Sequence, residues 1–250
     1  MSRENYQAWH VDPRDFSRCQ TEVEQLRFLI RFAILAPSSH NSQPWRFSIR
    51  GNRILLRANL DRALPASDSN HRQLFLSLGC ALENLLVAAD YYGFETTVSY
   101  LPEGSAGGVA VEVACQRGHP VTEGSSNHLI FVIPERSTNR NKYLSRFPPQ
   151  GFLDAIVGFG SGDVRIDLVS EQAKKEAVAL VVSEALIAAM DDRSFRRELS
   201  QYIRANTTRS KIGMPMFGFG MPTPLSFFAP FLLRHFNVNR LTRKQDLRLL

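Results

Sequence analysis

From about His71 to Tyr92 the chain carries an apolar pattern that fits a helix with almost no face left for water. Leu74, Leu78, Ala81, Leu82, Leu85 and Ala89 recur at intervals of three and four, and Phe75, Leu76, Leu86 and Ala88 widen the stripe. A helix apolar nearly all round belongs at the centre of a domain, wrapped by other elements. Gly93 follows and is predicted to end it, because glycine adopts the left-handed conformation that closes many helices.

The elements that would surround it are readable nearby. A second helix is predicted from about Thr21 to Leu35 on Val23, Leu26, Leu29, Ile30, Ala33 and Ile34, with Pro37 stopping it. Strands are predicted at Arg46–Arg50 and Arg53–Ala58, joined by a tight turn at Gly51-Asn52, and again at Thr96–Leu101 and Val109–Cys115. Further on, Leu129–Ile133 reads equally as a strand or a helix start, and Val164–Val169 as a strand. Glu171–Met190 reads as a long amphipathic helix, and a charged, mostly exposed one runs from about Asp192 to Ala205. After Asn206 the chain turns irregular (Gly213, Pro215, Gly218, Gly220, Pro222, Pro224), as expected of a pocket loop or lid. Each half holds a helix pair beside strands, which suggests a weak internal duplication.

The composition excludes several classes. At 250 residues, 44% hydrophobic and 22% charged, the chain can bury a sizeable core, and disordered or collagen-like states are excluded. Its net charge of +6 suggests anionic partners. The basic residues are scattered, though, and no basic helix or aromatic-interleaved strand supports nucleic-acid binding. No signal pattern and no uninterrupted apolar run of membrane-spanning length is present, so no membrane partner is expected. Cys19, Cys80 and Cys115 are odd in number and far apart, and no metal-ligand spacing occurs; a reducing, cytoplasmic setting is expected. Cys80 is assigned to core packing, and the six histidines to surface or loop positions.

Two segments carry candidate chemistry. The first is Ala36-Pro37-Ser38-Ser39-His40-Asn41-Ser42-Gln43-Pro44-Trp45. It places hydroxyls, amides and an imidazole after a helix end, between two stiffening prolines, where they can hydrogen-bond to the edge of a planar heteroaromatic; by composition alone it is an ordinary turn. The second is Glu135-Arg136-Ser137-Thr138-Asn139-Arg140-Asn141-Lys142-Tyr143. Two arginines four apart with a hydroxyl between them make a natural phosphate clamp, although in isolation the string is a solvated basic turn.

The first string resembles the flavin-binding loop of the nitroreductase family, matching at Pro37, Ser38, Ser39, Asn41, Gln43, Pro44 and Trp45. The second is similar to that family's Arg-x-Ser-x-(Arg/Lys) motif. The resemblance implies an α+β fold with an antiparallel sheet flanked by helices and an FMN at a subunit interface. It implies that Pro37, Ser38, Ser39, Asn41 and Gln43 belong to the flavin loop, with Ser38, Ser39 and Asn41 approaching the ring and Trp45 packing behind. Arg136, Thr138 and Arg140 would hold the FMN phosphate. In ordinary members the phosphate motif precedes the Ser/Asn loop, whereas here it follows far downstream. The chain is therefore similar to the Acg-like subfamily, in which two nitroreductase-like halves are fused into a pseudo-dimer. The expected halves are 1–117 and 118–250. The stretch from Asp61 to Leu85 also looks like that subfamily; Asp68 and Arg72 are expected to pair near the start of the helix.

The departures are specific. Arg14-Asp15-Phe16-Ser17-Arg18 is a poor substitute for a phosphate motif in the first half, so a single flavin is expected. Subfamily members continue past Leu250 with a strand and an apolar helix, which makes the second half expected to be incomplete, with Asp246–Leu250 as the approach to that strand. No catalytic acid or nucleophile stands out, which fits chemistry carried by a flavin. The implied function is transfer of reducing equivalents from NAD(P)H to a nitro- or quinone-like small-molecule acceptor by a ping-pong mechanism. The alternative is a flavin-binding or flavin-sequestering protein with little turnover. The expected assembly is a monomeric pseudo-dimer or a homodimer. The stretch 213–222, with Phe217 and Phe219, is expected either to cover the flavin or to be plain loop packing.

Overall fold

A computed structural model describes residues 4–102, 108–118, 128–140, 143–144, 146–162 and 164–237. The predicted approach to a further strand at Asp246–Leu250 lies outside them, as does His119.

The first helix, α1 (Glu22–Ala33), starts at Thr21. The threonine hydroxyl accepts from the Glu24 N–H, and the Glu24 carboxylate accepts in return from the Thr21 N–H. Such a capping box satisfies two backbone donors that a helix start leaves free, a contribution of about 1 kcal/mol. Its apolar face buries Leu26, Leu29 and Phe32 completely. Next come β1 (Trp45–Arg50) and β2 (Arg53–Ala58), turning at Gly51, whose φ of +54° suits glycine. The central helix α2 (Arg72–Tyr91) follows, then β3 (Phe94–Tyr100) and β4 (Val109–Arg117).

These four strands form one antiparallel sheet in the order β1-β2-β4-β3, with a register shift between Leu56 and Arg57. Ile54, Leu56, Val111, Val113 and Cys115 turn one face of the sheet into the main core, where α1 and α2 pack against it. The architecture is therefore mixed helix and sheet, an antiparallel sheet flanked by helices. Helix α2 buries Leu74, Leu78, Ala81, Leu82, Leu85, Ala88 and Ala89. It is also long and apolar enough, by length and composition, to cross a membrane; half of that stretch lies inside the protein. Phe75 and Leu76 are exposed, so one flank of α2 remains open, in contrast to the all-round burial its pattern predicts. Asp68 does not pair with Arg72. Its two carboxylate oxygens accept from the Gln73 and Leu74 N–H groups (2.9 Å each), capping the start of α2.

The later chain is mostly helical. It comprises α3 (Leu129–Val132), α4 (Gln150–Gly158), α5 (Gln172–Asp191), α6 (Arg193–Tyr202), the short parallel pair β5 (Ile203–Arg204) and β6 (Met214–Pro215), α7 (Thr223–Ser226) and α8 (Ala229–His235). Leu129–Ile133 resolves as helix, and Ile130 and Ile133 reach the main core. Val164–Val169 is not a strand: among the described residues an isolated bridge joins Ser161 to Val164, and no partner strand lies beside the segment. Helix α5 is present but is not amphipathic in its packing. Met190 is its only buried residue among those described, while Val178, Leu180, Val181, Val182 and Leu186 are exposed. A smaller apolar cluster gathers Ile203, Met214, Met216 and Ala229.

Helix α6 fastens this later region to the first. Glu198, buried, accepts hydrogen bonds from the Ala66 N–H (2.8 Å), the Ser67 N–H (3.0 Å) and the Ser67 hydroxyl (2.5 Å). Tyr202, one turn further on the same face, lies beside the His40 ring at 5.9 Å between centroids. A carboxylate taken out of water in this way is held by the donors that replace its hydration.

Candidate functional site

Three stretches distant in sequence enclose one cavity of about 620 Å³. The first is the loop after α1. Pro37 prevents α1 from continuing, and Ser38 is extended (φ −151°) before a short turn at Ser39–Asn41. His40, Asn41 and Gln43 all take left-handed backbone angles (φ 54°, 51° and 50°). Such angles disfavour side chains other than glycine or asparagine, so this loop stores strain that its contacts must offset. The Gln43 N–H donates to the Ser38 hydroxyl (3.0 Å), and the Ser42 N–H to the Ser39 carbonyl (2.9 Å). Behind the loop, Ser42, Pro44 and Trp45 are buried.

The second stretch is 136–140, which leaves the short turn Ile133–Glu135 after α3. The Arg136 guanidinium lies 5.7 Å from the centre of the Trp9 ring, with one terminal nitrogen 3.4 Å from the Thr138 hydroxyl. Its Nε is buried without a hydrogen-bond partner, and burial pushes this guanidinium below its usual pKa. Arg140 sits 4.7 Å over the Phe219 ring and reaches the Met214 sulfur at 3.6 Å. Among the described residues neither arginine forms an ion pair.

The third stretch is 210–218. The Asn41 side-chain amide donates to the Gly213 carbonyl (2.9 Å), and the Gly213 N–H donates back to the Asn41 carbonyl (3.1 Å). The Gln43 side-chain amide donates to the Lys211 carbonyl (2.5 Å) and to Asn41 Oδ1 (3.3 Å). Gly213 has φ +97°, and a Cβ there would meet the Tyr202 carbonyl and the Arg204 side chain. Only glycine fits that close approach without strain.

Of the residues predicted from sequence, Pro37, Ser38, Asn41, Gln43, Arg136, Thr138 and Arg140 line the cavity together. Ser39 does not: its hydroxyl donates to Gln73 of α2 at 3.3 Å. The side-chain amides of Asn41 and Gln43 are engaged by backbone carbonyls of 211–213, so their direct role is to tie two walls together. Met214, Pro215, Phe217 and Gly218, from the Gly/Pro stretch, complete one wall. Tyr6 and Trp9 also line the cavity. They sit in a short helical turn, Glu4–Trp9, that sequence reasoning missed; an aromatic pair three residues apart was the available signal.

The lining set fits FMN. A volume of about 620 Å³ lies in the usual range for small-molecule sites. Two guanidinium groups without carboxylate partners, one with a buried and unpartnered Nε, suit a phosphate, and apolar and aromatic walls suit a planar ring. Among the described residues no group of three potential metal ligands occurs. Cys19, Cys80 and Cys115 are free thiols.

No family model matches the chain. Curated relatives do. A Mycobacterium tuberculosis protein named as a putative NAD(P)H nitroreductase is 28% identical over 180 residues, covering 72% of this chain and 51% of its own length. The M. tuberculosis protein named as the putative NAD(P)H nitroreductase acg is 27% identical over 194 residues, covering 76% and 57%. A third protein from that organism, named only as uncharacterized, is 29% identical over 180 residues, covering 70% and 52%. The chain spans about half the length of these relatives. Homologues so named, at 27–28% identity over most of the chain, support its assignment to the nitroreductase family.

Proposed function

We propose that the protein is an FMN-dependent oxidoreductase that passes reducing equivalents from NAD(P)H to a nitro- or quinone-like acceptor. The single observation carrying this reading is that the Ser/Asn loop and the Arg136/Thr138/Arg140 segment line one cavity. Arg136 and Arg140 would grip the FMN phosphate as charge-assisted donors, with the Thr138 hydroxyl between them. Pro37 and Ser38 would lie along the ring side, and Asn41 and Gln43 would hold the 211–213 wall in place; Ser39 would act from behind, through Gln73. Bound FMN would supply the redox chemistry that links NAD(P)H to the acceptor, in ping-pong order. The side chains bind and orient and exclude water; none is asked to act as acid or nucleophile. The names of the relatives support the nitroreductase reading, and the meeting of the two motifs supports the pseudo-dimeric arrangement of halves 1–117 and 118–250.

The test is a visible spectrum of the purified chain with and without added FMN, followed by anaerobic NADPH. Flavin uptake and bleaching are expected. Uptake without bleaching favours the flavin-sequestering alternative, and failure to take up FMN refutes both. Arg136→Ala combined with Arg140→Ala removes two charge-assisted contacts of roughly 1.5–3 kcal/mol each, so FMN affinity should fall by at least about a hundredfold. Unchanged FMN affinity in that variant refutes the clamp.

A further inference from the structure

We infer that Phe219 is a positioning residue that seats the Arg140 guanidinium for a phosphate group in the cavity, and so favours FMN over riboflavin, its dephosphorylated parent; the inference rests on the cavity being the flavin site. Arg140 lines the cavity and is exposed. Its guanidinium carbon lies 4.7 Å from the centre of the Phe219 ring, and one terminal nitrogen reaches the Met214 sulfur at 3.6 Å. Among the described residues no carboxylate pairs with it. Phe217 and Gly218 line the cavity, whereas Phe219 does not. The ring therefore acts on the arginine and not on the space a ligand would fill.

A long exposed side chain has many rotamers, and binding a ligand through it costs the entropy of ordering it. A carboxylate partner would order the arginine, but it would also cancel the charge and occupy the N–H donors that a phosphate needs. An aromatic face attracts the cation through its quadrupole, carries no net charge and takes up none of those donors. Phe219 is itself held in place. Its turn, Met216–Phe219, closes at Gly220 (φ +72°), whose N–H donates to the Phe217 carbonyl (3.0 Å), and the Met221 N–H donates to the Met216 carbonyl (3.1 Å). The buried Asn206 anchors the exit, donating from its side-chain amide to the Met221 carbonyl (2.9 Å). Gly218 lies against the same guanidinium, since a Cβ there would stand 3.8 Å from Arg140 Nη1. Riboflavin lacks only the phosphate, so a seat for Arg140 acts on FMN and not on riboflavin.

The experiment titrates FMN and riboflavin by fluorescence into the full chain and into its Phe219→Leu and Phe219→Tyr variants. Phe219→Leu keeps an apolar side chain without a ring face. It should weaken FMN binding by about two- to fivefold, the size of one cation–π contact at an exposed site, and leave riboflavin binding unchanged. Phe219→Tyr should restore the FMN affinity. In an Arg140→Ala background Phe219→Leu should cost nothing further, because the ring then has no cation to seat. Unchanged FMN affinity in Phe219→Leu overturns the inference. An equal loss for riboflavin, or an equal loss in the Arg140→Ala background, also overturns it, because Phe219 would then be wall packing. A second arm needs no flavin: the Arg140 Nε–H resonance is followed by NMR during titration with inorganic phosphate at constant ionic strength. The resonance should move, and should need more phosphate to do so in Phe219→Leu. If neither flavin is taken up, the flavin reading fails, and the phosphate titration still decides the seat: a response that is absent, or identical in the two proteins, overturns it.

Discussion

Replacing Glu198 by alanine removes an acceptor that three donors of the first region share. The donors are the Ala66 N–H, the Ser67 N–H and the Ser67 hydroxyl, at 2.8, 3.0 and 2.5 Å. The hydroxyl can rotate to another partner, but the two backbone N–H groups stay where the chain holds them. Leaving each without an acceptor costs about 1–3 kcal/mol, so Glu198→Ala should cost roughly 2–6 kcal/mol. For a chain of this length each kcal/mol lowers Tm by roughly 2–4 °C, which gives an expected drop of about 4–24 °C in thermal unfolding followed by circular dichroism. Glu198→Gln keeps one acceptor oxygen but turns an amide N–H₂ toward the remaining donor, so its loss should be intermediate. The exposed pair Arg53–Glu112 provides the contrast, since removing a surface ion pair costs under about 1 kcal/mol. A Tm for Glu198→Ala close to the wild-type value would refute the reasoning, as would a Glu198→Gln variant less stable than Glu198→Ala.

Gly213→Ala drives a methyl group into the Tyr202 carbonyl at a backbone angle that disfavours alanine, and should lower both Tm and FMN affinity; a variant with wild-type values in both would show that the 213 wall is not tightly held. Burial lowers the pKa of His40, with the Glu198 charge opposing more weakly. The unfolded chain then binds the proton more readily than the folded one, so this contribution to stability is flat above about pH 7 and shrinks as pH falls below the ordinary histidine value near 6.5. His40→Asn, which tolerates the left-handed angle, should flatten the urea-unfolding stability between pH 7 and 5; an identical slope in both proteins would exclude His40 as its source.

How legible the chain is depends on where its contacts lie. Helices α1 and α2 and the four-stranded sheet follow from period and turn residues, because each buries a regular face against a neighbour close in sequence. The cavity was half legible: its two motif stretches stand out as strings, whereas Tyr6, Trp9 and Lys211 join it only through long-range folding. The sequence points Asp68 toward Arg72 because charge pairing is visible in a sequence, while the N–H groups of a helix start that it caps instead are not. The roles of Asn41 and Gln43 as ties to 211–213 depend on partners some 170 residues away, which no local pattern announces. Val164–Val169 has the residues of a strand and, among the described residues, no strand beside it, and β-propensity without a partner does not make a sheet.

Helices α2 and α5 have the same length, 20 residues, and comparable apolar content, yet one buries eight side chains and the other only Met190. Isolated helices of such length are marginal in water, and tertiary packing supplies most of what keeps a helix formed. The backbone amides of α2 are thus protected by the cooperative unit as a whole. Those of α5 lean on neighbours one turn away, such as Gln172 with Glu176 and Lys174 with Glu171. Deuterium should therefore enter α5 by local fraying while α2 still resists, so that two stretches of nearly equal greasiness mark opposite ends of the molecule's exchange spectrum.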